Sequence, residues 1–244
     1  MIDLAQQRAQ VIARLHAAEY AAGRPEGSVR ILAVSKTQPA SSIRVLAMAG
    51  QQCFGENYLQ EAQPKLPLLA DLDLEWHFIG PIQSNKTRSV AALFHWVHSV
   101  DRWKVAQRLS AQRPMDLPPL NVCLEVNVSG EATKSGVMPA DLPALAQAVA
   151  ALPGLRLRGL MTIPAPLAED ADITMARTPF RALRELFEGL RAQGLDMDTL
   201  SMGMSDDLEA AVAEGATMVR VGTAIFGARS GGHRPETFIA NPGD

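Results

Sequence analysis

The feature that most constrains this chain is an alternation that runs almost its whole length. Short β-branched or apolar runs recur near 29–35, 52–55, 75–80, 95–100, 120–128, 156–162, 198–202 and 217–221. Helical stretches separate most of them, at 39–50, 57–62, 84–93, 102–112, 139–152, 172–193 and 206–214. Strands that alternate with helices form a parallel sheet, because a parallel partner can be reached only by a crossover. Eight such units in 244 residues match the arithmetic of a (β/α)8 TIM barrel, about 250 residues long. An open doubly wound sheet is the alternative, and it rarely needs eight strands at this length. A further helix over 3–22, with Leu4, Val11, Ile12, Leu15 and Ala18 on one face, precedes the first strand and is broken by Gly23 to Gly27. The expected organisation is a single α/β domain over 1–230 and a loose C-terminal tail over 231–244, which is rich in Gly and Pro.

Composition narrows the partners. A formal net charge of −3 favours neither nucleic acid nor an anionic membrane surface. No apolar run reaches membrane-spanning length, and the N-terminal segment lacks a signal-peptide pattern, so the expectation is a cytoplasmic protein. The two cysteines, Cys53 and Cys123, lie in apolar stretches and read as buried free thiols. His95 and His98 flank Trp96 and Val97 in a strand, which argues for core or loop placement and against a metal pair; no metal site is expected.

A barrel carries its functional groups on the loops that follow its strands. Lys36 follows the first strand. A lysine at that edge is partly desolvated, which lowers the amine pKa and favours attack on a carbonyl. Two later segments read as an anion site. In Leu200-Ser201-Met202-Gly203-Met204-Ser205-Asp206-Asp207, Gly203 permits an unusual backbone angle and Ser205 suits the N-cap of the next helix. In Val219-Arg220-Val221-Gly222-Thr223, a strand opens through Gly222 and Thr223 into a short final helix. The loops after strands seven and eight are the recurrent phosphate site of this fold. Neither segment contains lysine, so binding would use neutral donors and helix dipoles. A phosphate site beside a lysine suggests a phosphorylated aldehyde, and pyridoxal 5′-phosphate (PLP) fits. Arg220 is the candidate partner for its pyridine nitrogen. A guanidinium only donates, so the ring would stay unprotonated and be a poor electron sink.

The chain also resembles the YggS/PROSC family of pyridoxal phosphate homeostasis proteins. The resemblance is carried by Ala33-Val34-Ser35-Lys36-Thr37, Phe54-Gly55-Glu56-Asn57-Tyr58, Trp76-His77-Phe78-Ile79-Gly80, Gln83-Ser84-Asn85-Lys86, Glu125-Val126-Asn127, Lys134-Ser135-Gly136, Arg158-Gly159-Leu160-Met161 and the two segments above. It implies a barrel like the alanine racemase N-terminal domain, with PLP held as a Schiff base on Lys36 and Arg220 at the ring nitrogen. It also implies phosphate contacts from Ser201, Gly203, Met204, Ser205, Gly222 and Thr223, and a ring lined by Asn57 and Met161. By resemblance the protein serves vitamin B6 and amino-acid balance, has no established catalysis of its own, and is a candidate for delivering PLP to PLP-dependent apo-enzymes; a monomer is expected. The family often carries lysines just past the Phe-Gly-Ala-Arg segment, where this chain has Ser230-Gly231-Gly232.

Three rival readings are an amino-acid racemase, a Schiff-base aldolase and a plain protein-binding module. A racemase needs a second acid/base on the far face of the cofactor, and the chain has only Tyr20 and Tyr58 as tyrosines. An aldolase would form its imine with substrate and carry no chromophore. Lys86 and Lys134 follow strands three and five and are candidate secondary landing points for the aldehyde.

Overall fold

A computed structural model describes residues 3–131, 133–165 and 173–227. The expected tail over 231–244 and the end of the domain at 228–230 lie outside the described residues, as do Pro166 and its neighbours. Eight parallel strands close into a barrel in sequence order, β1 pairing with both β2 and β8. They are β1 (Arg30–Val34), β2 (Cys53–Glu56), β3 (Glu75–Phe78), β4 (Trp96–Val100), β5 (Leu120–Glu125), β6 (Leu155–Met161), β7 (Thr199–Ser201) and β8 (Met218–Val221). The doubly wound alternative is excluded by that closure.

The helices are α1 (Leu4–Ala21), α2 (Ala40–Met48), α3 (Leu59–Lys65), α4 (Thr87–Leu93), α5 (Trp103–Gln112), α6 (Leu142–Ala150), α7 (Ile173–Ala192), α8 (Leu208–Ala213) and α9 (Thr223–Phe226). Four differ from the sequence reading: the stretch expected from 84 opens as a 3₁₀ turn, Ser84–Lys86, the one expected from 139 starts at Leu142, and two more depart near the mouth. The stretch expected over 57–62 runs on to Lys65 and then tightens into a 3₁₀ turn, Leu66–Leu69, because Pro64 and Pro67 cannot donate to a continuing α-helix. The helix expected from 206 starts at Leu208. Its N-cap is Asp207, and Ser205 sits in the turn before it, so Ser205 is not the cap. The reason is local: Asp207 Oδ1 accepts the Met204 amide at 2.5 Å, which folds residues 204–207 into a loop of their own.

Strand periodicity decides which side chains enter the barrel. Val219 and Val221 of β8, Trp76 and Phe78 of β3, Val97 of β4 and Leu200 of β7 join the core between sheet and helices. Successive side chains on a strand point to opposite faces. Arg220, His77, His98 and Ser201 therefore point inward, and all four are buried. Two small apolar clusters share that interior, one of Leu32, Cys53, Ile79 and Met218, the other of Trp96, Cys123 and Met161. Gly159 is required by β6–β7 contact: a Cβ there would lie 1.7 Å from the Thr199 carbonyl oxygen.

Candidate functional site

Lys36 stands in the turn after β1, half-buried, where the barrel rule puts functional groups. Its turn is held from beneath. The Ser35 amide donates to the Gly55 carbonyl at 2.9 Å, and the Gln38 amide to the Ser35 carbonyl at 3.1 Å. The Ser35 hydroxyl donates to Glu56 Oε1 at 2.7 Å. Lys65 Nζ, reaching in from α3, donates to Glu56 Oε1 at 2.6 Å and to the Ser35 carbonyl at 3.1 Å. Thr37 has φ 64, the left-handed region that a β-branched residue seldom occupies. Its amide is anchored to Glu61 Oε2 at 2.8 Å. The backbone that presents Lys36 is thus strained and fixed from three sides, a pattern typical of functional sites.

The neighbouring loops converge on it. Leu32 of β1 is the register partner of Arg220 in β8, so the strands carrying Lys36 and Arg220 are adjacent. Gly222 lies against the end of β1: a Cβ there would be 3.5 Å from Val34 Cβ. Thr223 Oγ1 donates to Ser205 Oγ at 3.3 Å, which joins the loops after β7 and β8. Gly203 takes φ +90, and a Cβ would sit 2.5 Å from Ala211 Cβ, so no larger residue fits that bend. Arg14 of α1 braces the same loop, donating to the Ser205 carbonyl at 2.6 Å while bidentate on Glu209. Met204 is partly exposed, its amide engaged by Asp207. Asn57 follows β2, and its buried Oδ1 has no partner among the described residues. The Asn57 carbonyl requires Gly80, where a Cβ would approach it to 2.0 Å. Met161 is fully buried inside the barrel at the end of β6.

Arg220 forms the floor of this mouth. Its Nη1 donates to the Ser201 carbonyl at 2.6 Å and to Ser201 Oγ at 3.0 Å, and its Nη2 to the Thr162 carbonyl at 2.8 Å. Burial lowers its pKa to about 10, which leaves it a cation at neutral pH. Ser201 is turned inward, and its hydroxyl bonds with Arg220 and His98.

Lys86 lies in a 3₁₀ turn after β3, and Lys134 donates to the Ile163 carbonyl at 3.5 Å and pairs with Glu131 at 3.4 Å. Both cysteines are free and buried; burial raises Cys53 to about 11 and Cys123 to about 12. At the opposite end of the barrel Cys53, Glu75 and His77 gather closely. There Arg30 Nη2 donates to Cys53 Sγ at 2.7 Å and to Glu75 Oε1 at 2.6 Å, so a guanidinium already fills the cation's place.

Sequence reasoning gave no role to Glu56, Lys65, Glu61 or Glu125. A carboxylate closing an apolar strand was the available signal for Glu56 and Glu125. Glu125 is buried; burial and the nearby Asp101 carboxyl raise it to about 7, against the pull of Arg220. Its usual value is 4.5. As pH climbs past 4.5 the unfolded chain ionises first, and the folded state loses relative stability until about pH 7. At about 1.4 kcal/mol per unit, the loss approaches about 3 kcal/mol. Glu125→Gln should therefore gain stability over the wild type between pH 4.5 and 7.5, read as diverging urea midpoints. Parallel midpoints across that range would refute the assignment.

The fold and this mouth define a class, the barrel of the alanine racemase N-terminal domain, and residues 9–230 match the family described as "Alanine racemase, N-terminal domain". Within it, the pyridoxal phosphate homeostasis protein of Pseudomonas aeruginosa is 63% identical over 232 residues, 95% of this chain and 98% of that one. The Escherichia coli K12 protein of the same name is 52% identical, covering 94% and 98%. PipY of Synechococcus elongatus, solved with PLP bound, superposes with a TM-score of 0.79 at 39% identity, over 92% of this chain and 100% of that one. The chain belongs to the family of pyridoxal phosphate homeostasis proteins.

Proposed function

We propose that this chain binds PLP at the barrel mouth and holds it covalently through Lys36, as a vitamin B6 homeostasis protein. Bound there, PLP would supply the aldehyde carbon that the Lys36 amine attacks, with water as the leaving group. The observation that carries the reading is the convergence of three loops above Arg220, with Gly222 on Val34, Thr223 on Ser205, and Lys36 at the adjoining turn. The residues present fit the group. Gly203 makes a cradle that a side chain would fill, and the buried, unpartnered end of the Asn57 carboxamide can present its NH2 to an acceptor of the ring once the amide is turned over.

In this reading the Ser205 and Thr223 hydroxyls and the amides around Gly203, Met204 and Gly222 hold the phosphate. For Met204 that requires its amide to exchange Asp207 for the phosphate. Asn57 and Met161 flank the ring. Arg220 stays protonated and donates to the ring nitrogen, while Ser201 holds Arg220 in place. An arginine there keeps the ring a weak electron sink, which suits storage more than turnover. Racemisation would need an acid/base on the opposite face. Tyr20 lies on the outer surface of α1, 87% exposed, and Tyr58 is the N-cap of α3.

Delivery of PLP to apo-enzymes from an open mouth completes the proposal. It describes a monomeric carrier of the cytoplasm, a compartment that suits two free thiols. The test is borohydride reduction of the PLP-loaded protein followed by peptide mass spectrometry. The pyridoxyl mark should fall on the peptide containing Lys36. A mark on Lys86 or Lys134 alone would refute the site.

A further inference from the structure

A line of buried hydrogen bonds runs through the inside of the barrel, from Arg220 to the opposite end. Arg220 Nη1 donates to Ser201 Oγ at 3.0 Å. Ser201 Oγ lies 2.8 Å from His98 Nδ1, and His98 Nε2 lies 2.9 Å from His77 Nδ1. His77 Nε2 lies 2.8 Å from Glu75 Oε1. The five side chains come from β8, β7, β4 and β3, and all but Glu75 are buried. His77 is stacked on Trp96, with centroids 5.4 Å apart and planes at 11°, so its ring orientation is fixed by packing as well.

The donors and acceptors leave one solution. An ionised carboxylate only accepts, so His77 Nε2 carries the proton. A neutral imidazole has a single N–H, so His77 Nδ1 accepts and His98 Nε2 donates. His98 Nδ1 is then an acceptor, and it takes the only proton of the Ser201 hydroxyl. Ser201 Oγ keeps its lone pairs for Arg220, which can only donate. The chain begins at a group that cannot accept and ends at one that cannot donate, so both ends impose the same direction.

The charge states agree with that solution. Burial drives His77 down to about 4 even with Glu75 beside it. Burial likewise holds His98 well below its usual range, and His77 and Arg220 oppose a further positive charge there. Arg30 on β1 and His95 before β4 also disfavour protonation of His77. Burial pushes Glu75 up, but the hydrogen bond from His77 and the Arg30 guanidinium outweigh it and hold the carboxyl below the carboxylate range.

We propose that Glu75, His77 and His98 are positioning residues. Through this one-directional chain, a carboxylate at the far end of the barrel fixes the Ser201 hydroxyl, which orients Arg220 together with the Ser201 and Thr162 carbonyls. The consequence for cofactor binding rests on the reading of Arg220 given above. The hydrogen-bonded line itself does not, and it is tested on the protein without PLP.

Long-range imidazole ¹⁵N–¹H spectra of the full-length protein should show His77 and His98 as neutral Nε2–H tautomers between about pH 6 and 8. Glu75→Gln replaces an obligate acceptor by an amide that can also donate. It should therefore populate the Nδ1–H form of His98 and shift the Arg220 Nε resonance. In a Ser201→Ala background, Glu75→Gln should no longer move that resonance. A wild-type His98 found as Nδ1–H or as imidazolium would overturn the proposal. So would an Arg220 signal indifferent to Glu75→Gln, or one that responds equally with Ser201 removed. If the substituted proteins do not fold, the wild-type tautomers alone decide. Failure of covalent trapping at Lys36 would leave these spectra unchanged, so the two readings fail separately.

Discussion

After free PLP is removed, protein carrying Lys36→Ala should lack the imine absorption band and yield no pyridoxyl peptide after borohydride, while the wild type keeps the band and is trapped. The loss should be complete, because no other amine occupies the turn after β1. The fold should survive it. The turn is shaped by hydrogen bonds of the Ser35, Thr37 and Gln38 backbone and of the Ser35 hydroxyl, all of which the substitution leaves in place. Lys86→Ala and Lys134→Ala are the controls. Lys134 is tied to Ile163 and Glu131, and both variants should keep the full visible band. Retention of the band by Lys36→Ala, or its loss in either control, would move the covalent site elsewhere. Residual binding of PLP by Lys36→Ala through the phosphate alone is compatible with the proposal, since the loops after β7 and β8 are untouched.

Much of this architecture was legible in the residues because a parallel barrel writes itself as eight apolar runs at regular spacing, and each of the eight matched an observed strand. The loops after β7 and β8 were legible for the same reason, since glycines such as Gly203 mark backbone bends that nothing larger can occupy. What stayed hidden were contacts between side chains distant in sequence. Glu56 and Lys65 are close enough to pair across α3, yet nothing in the string says that Lys65 turns inward. His77 was visible as a strand residue, and His98 read as core or loop. Their link to Ser201, more than one hundred positions away, depends on barrel closure and strand register. The start of α8 was misplaced because the Asp207 side chain accepts the Met204 amide, a local competition that N-cap preference does not reveal.

The hidden pair carries the second large effect. Lys65→Met keeps most of the side-chain volume but removes the cation that faces Glu56. Glu56 is fully buried, and burial pushes its carboxyl above the usual range even with Lys65 and Ser35 against it. Its Oε2 already has no partner among the described residues. Without Lys65 the carboxyl keeps only the Ser35 hydroxyl and must either remain charged in a dry site or take up a proton. Breaking a buried pair from one side costs about 3–5 kcal/mol. For a domain of this size that lowers the melting temperature by roughly 6–20 °C. The Ser35 carbonyl loses a donor in the same step, so the turn that presents Lys36 slackens and covalent capture of PLP should slow. Adding Glu56→Gln to Lys65→Met replaces the stranded charge with a neutral amide and should recover most of the lost stability. If the single and double variants melt together, the destabilisation comes from packing around α3 and the ion pair is not what holds the turn.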